Sequence, residues 1–222
     1  MIEIEGHPNT ETLKGFALGT LMPGMELLVS GHLTFCPQCR GVVAEFEELA
    51  AGHMALVPPS ADGPSLETTL AMIDGAPDEP VATKPASDTA FHVDPAPSVL
   101  PHALHAHAPA DVEAINWNFR LPGLYEYELP GFADETVSLL KAKPGTSMLS
   151  HTHDGDEATL ILQGAMADGD MVLRRGDVAQ ADHHHDHKPH IVGNETCICL
   201  IVMSGKLRFT GTLTRALNLL MR

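Results

Sequence analysis

Cysteine and histidine are the residue types in this sequence whose number and placement point to chemistry. The 222 residues contain only four cysteines, in two close pairs, Cys36 with Cys39 and Cys197 with Cys199. They also contain 14 histidines, more than the 13 lysines and arginines together. Structural disulfides are not expected in a reducing compartment, so paired thiols with histidines nearby indicate metal binding or a redox role.

The first candidate site has the spacing His32-x3-Cys36-x2-Cys39. On a helix His32 and Cys36 lie about one turn apart on the same face, and the proline after Cys36 turns the chain back. One imidazole and two thiolates suit tetrahedral Zn²⁺, with a fourth ligand from His7 or, alternatively, from His53. A redox pair is the other interpretation, but the strand context typical of a redox Cys-x2-Cys is missing. The spacing therefore favours a zinc site that joins the surrounding helices.

The second candidate site has the spacing Gly145-x5-His151-x-His153-x3-Glu157-x6-Gly164. Every interval resembles the first sequence motif of the cupin family. Residues two apart on a strand point to the same face, so His151 and His153 can share one metal ion. Glu157 follows a turn and can return to the same ion. The pattern therefore predicts a cupin metal site.

The second cupin motif supplies a third histidine eleven residues after a glycine. His187 stands eleven residues after Gly176 and fills this position. Other histidines surround it, and a shifted alignment makes His185 or His190 the ligand instead. Three histidines and one carboxylate can hold Zn, Fe, Mn, Ni or Cu, and the sequence does not choose among these metals.

The second cysteine pair lies in the apolar run from 196 to 203. In a strand Cys197 and Cys199 face one side, and Ile198 faces the other. The two cysteines can be small buried residues of a barrel wall or redox-active thiols, and both interpretations stay open. A disulfide between them would be strained, because alternate Cα atoms of a strand lie about 6.5–7 Å apart.

Charge and hydropathy narrow the classes of function. The 29 acidic residues against 13 basic ones give a formal net charge of −16. Phosphate binding needs clustered cations, so we expect no direct contact with nucleic acid and, if there is a macromolecular partner, a basic one. No apolar run approaches the ~18 residues of a membrane-spanning helix, and the acidic start has no signal-peptide pattern. We therefore expect a cytoplasmic protein with no membrane association.

Composition divides the sequence into three parts and predicts an α+β multidomain fold. Residues 1–74 have helical periodicity and predict a small all-α domain of short helices, whose thin core needs a metal or a partner. Residues 75–110 contain seven prolines and nine alanines and predict a semi-extended linker. Residues 111–222 alternate short apolar runs with turn signals, which predicts an all-β sandwich or barrel with a short helix at 212–221.

The two motifs together resemble one known family. His7 followed by His32-x3-Cys36-x2-Cys39 resembles the zinc-containing anti-sigma domain. In that family a small helical domain wraps an extracytoplasmic-function (ECF) sigma factor and covers the surfaces it uses for core RNA polymerase. With the cupin motif added, nearly the whole chain outside the linker resembles the ChrR-type cupin anti-sigma factors.

The resemblance implies a cytoplasmic anti-sigma factor with an ECF sigma factor as partner and zinc in both domains. The helical domain would inhibit the sigma factor, and the jelly-roll cupin would permit release under oxidative stress such as singlet oxygen. The resemblance implies a first zinc set of His7, His32, Cys36 and Cys39, and a second set of His151, His153, Glu157 and His187.

An enzyme is the main alternative. A cupin dioxygenase or isomerase with an accessory helical zinc domain fits the cupin ligands, because a site with an open position allows metal-assisted chemistry. No further acid or base stands out, and the helical zinc motif has no evident purpose in such an enzyme. We therefore expect a regulator without catalytic residues. Metal storage by the many histidines is the weakest alternative, since most histidines outside the two sites lie in the linker or a loop.

Overall fold

The computed structural model describes residues 4–58, 63–76, 98–182 and 186–211. These residues fall into two compact units, one within Met1–Glu48 together with Ser98–Arg222 and the other within Leu49–Pro97. The domains predicted from composition, 1–74 and 111–222 with a linker at 75–110, are statements about independent folding and stay predictions.

The N-terminal part is helical, as predicted. Its helices are α1 (Thr10–Ala17), α2 (Pro23–Phe35), α3 (Pro37–Met54) and α4 (Leu66–Asp74). The side chain of Asn9 caps α1 by accepting a backbone N–H bond, and Ser65 caps α4 in the same way. Helix α3 begins at Pro37, so Cys39 lies in its first turn. None of the described helices is long and apolar enough to cross a membrane.

Residues 98–110, the end of the predicted linker, are part of the folded structure. They contain a 3-10 helix at His102–Ala106, and Leu100 and Leu104 are fully buried. Together with the buried Ala108 these side chains join the hydrophobic cluster that contains Leu28 of α2. Composition did not reveal this short apolar pattern, because alanines, histidines and prolines surround it.

The C-terminal part is all-β, as predicted. Its strands in the described residues are β1 (Asn118–Leu121), β2 (Leu124–Glu128), β3 (Thr136–Ala142), β4 (His151–His153), β5 (Glu157–Gln163), β6 (Ala165–Asp168), β7 (Met171–Arg174), β8 (Val178–Ala181), β9 (His190–Val192), β10 (Cys197–Met203) and β11 (Leu207–Phe209). They form an antiparallel six-stranded sheet in the order β1-β2-β3-β10-β5-β8, a three-stranded sheet β7-β6-β9 and a pair β11-β4. The short helix predicted at 212–221 lies outside the described residues.

The central strands β5 and β10 are buried on both faces. Leu160 and Leu200 point to a hydrophobic cluster that also contains Leu28 of α2. Ile161 and Cys199 point to the opposite face and pack against residues of β6, β7 and β9. Continuous apolar runs are typical of strands that are covered on both sides, because successive side chains alternate between the faces. Helix α2 therefore packs directly against the cupin sheet.

We expect Leu104→Ala to destabilise the protein by about 2–5 kcal/mol, because it leaves a cavity in the cluster shared by α2 and the sheet. Leu56→Ala is the matched control, since Leu56 is 81% exposed and its truncation should change stability by less than about 0.5 kcal/mol. Denaturant unfolding of the full chain measures both effects. Equal midpoints for the two variants would contradict the burial of residues 98–110.

Candidate metal centres

The helical part brings together His7, His32, Cys36 and Cys39. One ligand atom from each residue lies within 4.8 Å of the others. The Nδ1 atom of His7 is 3.5 Å from Sγ of Cys36 and 3.4 Å from Sγ of Cys39. His32 comes from α2, and the two cysteines come from the junction of α2 and α3. His7 comes from the segment before α1. Imidazole and thiolate donors of this number suit a tetrahedral metal ion.

His32 is oriented for metal binding through its other ring nitrogen. Its Nδ1 is 2.8 Å from the carbonyl oxygen of Gly176. A carbonyl only accepts, so Nδ1 carries the hydrogen and Nε2 carries the lone pair. This Nε2 is buried and has no hydrogen-bond partner among the described residues. Burial lowers the pKa of His32, which keeps the ring neutral. A buried lone pair beside two thiols fits a metal ligand.

The thiol of Cys39 must lose its proton before it can act as a metal ligand. Burial raises the pKa of Cys39 to about 12, and the neighbouring Cys36 acts in the same direction. Cys39 is therefore protonated at neutral pH without a metal, and a bound metal must displace that proton. The backbone N–H of Cys39 lies 3.4 Å from Sγ of Cys36, where it stabilises a thiolate.

The cupin part brings together His151, His153, Glu157 and His187. Their ligand atoms lie within 4.8 Å of one another, and all four residues are buried. Strand β4 presents His151 and His153 on one face, and Glu157 begins β5. An isolated β-bridge pairs His187 with His151. The Oε2 atom of Glu157 is 2.6 Å from Nε2 of His153. The cluster therefore joins three separate segments of the cupin fold.

Hydrogen bonds around this cluster leave two nitrogen lone pairs facing each other. Nδ1 of His151 donates to the carbonyl of Leu149 at 2.7 Å, and Nδ1 of His187 donates to the carboxylate of Asp168 at 2.8 Å. Both Nε2 atoms then carry lone pairs, and they are 3.0 Å apart. Two acceptors this close repel each other unless a proton or a metal ion lies between them. Burial lowers the pKa of His151, which favours the metal ion over the proton.

Glu157 supplies the negative charge of the cluster. Burial alone would raise the pKa of Glu157, but the hydrogen bond with His153 and the electrostatic interactions with the three histidines hold that pKa below its ordinary value. The hydroxyl of Thr159 donates to Oε1 at 3.2 Å and orients the carboxylate. One carboxylate with three imidazoles suits a divalent ion of the transition series.

The second cysteine pair lies in β10, in the hydrophobic cluster that faces β6, β7 and β9. Cys197 and Cys199 are both buried and free. The hydrogen bond with Cys197, together with burial, raises the pKa of Cys199 well above its ordinary value. Cys199 is therefore a neutral thiol and a weak nucleophile in this conformation. The redox role of this pair stays a prediction.

Two of the alternative ligands predicted from the sequence, His53 and His190, belong to neither cluster. His53 is exposed on α3, where its ring contacts the carbonyl of Leu49, and His190 is exposed in β9. His185 lies outside the described residues. Sequence reasoning missed the partners that orient the histidines, Asp168 and Gly176. Neither has a spacing signal, because both lie in strands or turns far along the chain from the ring that they contact.

The chain consists of a helical part with a His–Cys cluster, followed by a cupin fold with three histidines and a carboxylate. This arrangement defines a class of cupin proteins with two clusters that fit metal ions. Residues 106–207 match the family model described as the ChrR Cupin-like domain. The cupin fold and the resemblance to the ChrR-type anti-sigma factors are thereby confirmed.

A sequence match and a structural match, both to proteins named ChrR, span nearly the whole chain. The anti-sigma-E factor ChrR of Cereibacter sphaeroides is 29% identical over 214 residues, which are 96% of this chain and 95% of the relative. A chain in the crystal structure of Rhodobacter sphaeroides SigE in complex with the anti-sigma ChrR superposes with a TM-score of 0.76. It is 27% identical and covers 90% of this chain and 100% of its own.

We expect the purified chain to bind two metal ions and Cys36→Ser to bind one fewer, because Cys36 is one of four buried donors of the helical cluster. His53→Ala is the control and should keep the full metal content, since His53 is exposed. Elemental analysis after dialysis measures the content, and circular dichroism measures the accompanying loss of helix. Undiminished metal in Cys36→Ser would contradict the helical site.

Proposed function

We propose that this chain is an anti-sigma factor that sequesters an ECF sigma factor. Both matches that span nearly the whole chain carry the name of the anti-sigma factor ChrR, and the structure holds ChrR in complex with SigE. The same order of helical part and cupin fold occurs in this chain. An anti-sigma factor acts by binding, so it needs an apolar surface for its partner and no catalytic residues.

Helix α4 supplies such a surface, and this observation supports the proposal most directly. It buries none of its side chains. Leu66, Leu70 and Ile73 are 75%, 51% and 64% exposed, and their spacing of four and three residues places them on one face of the helix. Exposed apolar side chains that form one stripe mark a protein interaction site. We propose that the helical part binds the sigma factor through this stripe.

We propose zinc as the ion of the helical site, held by His7, His32, Cys36 and Cys39. A closed set of two thiolates and two imidazoles is typical of structural zinc. Such an ion would supply folding free energy to a small helical part. We also propose zinc for His151, His153, Glu157 and His187, although these nitrogen and oxygen donors accept other divalent ions as well.

We propose that the cupin part controls release of the sigma factor under oxidative stress, including singlet oxygen. Its metal would join β4, the start of β5 and His187, so gain or loss of one ligand changes contacts between distant segments. Cys197 and Cys199 lie on the same interior side of the fold and are the thiols of β10. A signal can act only by favouring one of two states that bind the sigma factor differently.

A cupin enzyme receives less support. The relatives that match the cupin part together with the helical part are anti-sigma factors, and a cupin enzyme would leave the stripe on α4 unexplained.

We propose that the protein acts in the cytoplasm, where a sigma factor meets RNA polymerase, and that it does not contact nucleic acid. Its formal net charge of −16 supports the absence of nucleic-acid contact, because DNA phosphates would repel a chain of that charge.

We expect the double variant Leu70→Gln with Ile73→Gln to weaken sigma-factor binding about tenfold or more, because losing an anchor residue at the centre of an interface costs more than about 1 kcal/mol. Ala71→Gln is the matched control: Ala71 is also exposed on α4 but lies away from the stripe. Co-purification with ECF sigma factors of the same genome identifies the partner, and titration measures the affinity. Absence of any bound sigma factor would refute the proposed function.

We expect His151→Ala and Glu157→Ala to inhibit the sigma factor constitutively, because the cupin loses the ion that links its segments while the stripe on α4 is untouched. A reporter gene that depends on the cognate sigma factor measures induction by singlet oxygen. His190→Ala, an exposed histidine outside the cluster, is the control and should respond normally. Normal induction of the two ligand variants at normal protein levels would mean that the cupin metal has no part in sensing.

A further inference from the structure

We infer that the turn Arg174–Asp177 of the cupin part is a positioning element for the helical metal site. The carbonyl of Gly176 orients one histidine ligand, and the carboxylate of Asp177 fixes the segment that carries the other. The inference rests on the proposed helical metal site and assigns these two residues to its support.

The carboxylate of Asp177 holds the chain immediately before His7. Its Oδ1 accepts the backbone N–H groups of Glu5 and Gly6 at 2.9 and 3.1 Å. Its Oδ2 accepts the N–H of Arg174 at 2.7 Å, which also closes the turn. Asp177 is 2% exposed, so these bonds are shielded from water. Hydrogen bonds shielded from water in this way are electrostatically stronger than exposed ones.

The N-terminal segment around His7 is also held by strand β8. The N–H of Val178 donates to the carbonyl of Gly6 at 3.0 Å. The side chain of Gln180 then accepts the N–H of Asn9 at 2.8 Å and donates to Thr12 at 3.1 Å. His7 lies between these anchored residues. The cupin edge strand thus fixes the backbone on both sides of a proposed ligand that no helix carries.

Gly176 approaches the other histidine ligand closely. Its carbonyl accepts the Nδ1–H of His32 at 2.8 Å. Its φ of +94° suits glycine, and an added Cβ would collide with Ile4 and lie 3.0 Å from Cβ of Phe35. A side chain at this position would therefore push the turn away from the end of α2 and lengthen the bond to His32.

The proposed helical site consequently depends on the cupin for both histidines and on its own helices for both cysteines. Loss of the partners that orient metal-binding histidines typically weakens metal binding about 10–100-fold. The turn acts through the two histidines and does not itself touch the ion. Its removal should lower affinity and leave the ligand set unchanged.

Cobalt binding to the full chain tests the inference, because only the helical site has thiolates. A thiolate-to-Co²⁺ charge-transfer band therefore reports that site alone, and competition with a chelator gives its affinity. We expect Gly176→Ala to weaken Co²⁺ binding about 10–100-fold at this site. Gly193→Ala is the matched control: its φ is +78°, so the backbone strain is similar, but an added Cβ meets nothing within 4 Å. It should bind as the unaltered chain does.

Asp177 provides a second, independent variant pair. Asp177→Ala removes the acceptor for the backbone N–H groups of Glu5 and Gly6. It should weaken Co²⁺ binding at the helical site as Gly176→Ala does. Asp177→Asn keeps an amide oxygen at that place and should recover part of the affinity. This pair decides the outcome if Gly176→Ala does not fold.

Two results would overturn the inference, and they are distinguishable. Unchanged Co²⁺ affinity in folded Gly176→Ala or Asp177→Ala would refute the role of the turn and leave the helical site standing. Absence of the charge-transfer band in the unaltered chain would refute the proposed helical site itself, and the inference with it.

Discussion

The hydrogen bond between Nδ1 of His32 and the carbonyl of Gly176 is the interaction on which the rest of this structure depends. It decides which ring nitrogen of His32 remains free, and it joins the helical part to the cupin part at a buried point. His32 and Gly176, which are 144 positions apart in sequence, are thereby joined by one hydrogen bond. The helical cluster is for this reason a product of both parts of the chain.

Helix α2 can serve both parts because it is buried on two sides. Val29 packs in the small hydrophobic cluster of the helices, and Leu33 packs against that cluster. Leu27 and Leu28 pack in the large cluster that contains Leu160 and the other central residues of the sheet. A helix that is apolar on most of its circumference belongs in the interior of a fold, not on its surface. The helices near the metal cluster and the cupin sheet therefore stabilise each other.

Strand β8 provides a physical path between the two clusters. At one end it follows the turn of Gly176 and Asp177, which contacts the segment of His7. At its other end Ala181 pairs with Glu157 of the cupin cluster. A change at Glu157 that shifts the register or position of β8 would therefore reach the support of the helical site through a single strand. Packed elements of this kind transmit coupling only if they have two arrangements, so the proposed control of release by the cupin requires a second arrangement of β8.

The sequence by itself determined the local part of this architecture. The spacings His32-x3-Cys36-x2-Cys39 and His151-x-His153-x3-Glu157 act within one helix turn, or within one strand and the turn after it. Residue types and intervals were therefore enough to predict that these side chains lie together, and the intervals resemble the cupin motif. Only the tertiary structure decided what orients those donors, and it also buried Leu100 and Leu104 from the predicted linker. Asp177 meets Glu5 across 172 positions, and Asp168 meets His187 across 19. Such pairs carry no periodic signal, because they form only when separate elements pack and buried polar groups must find partners.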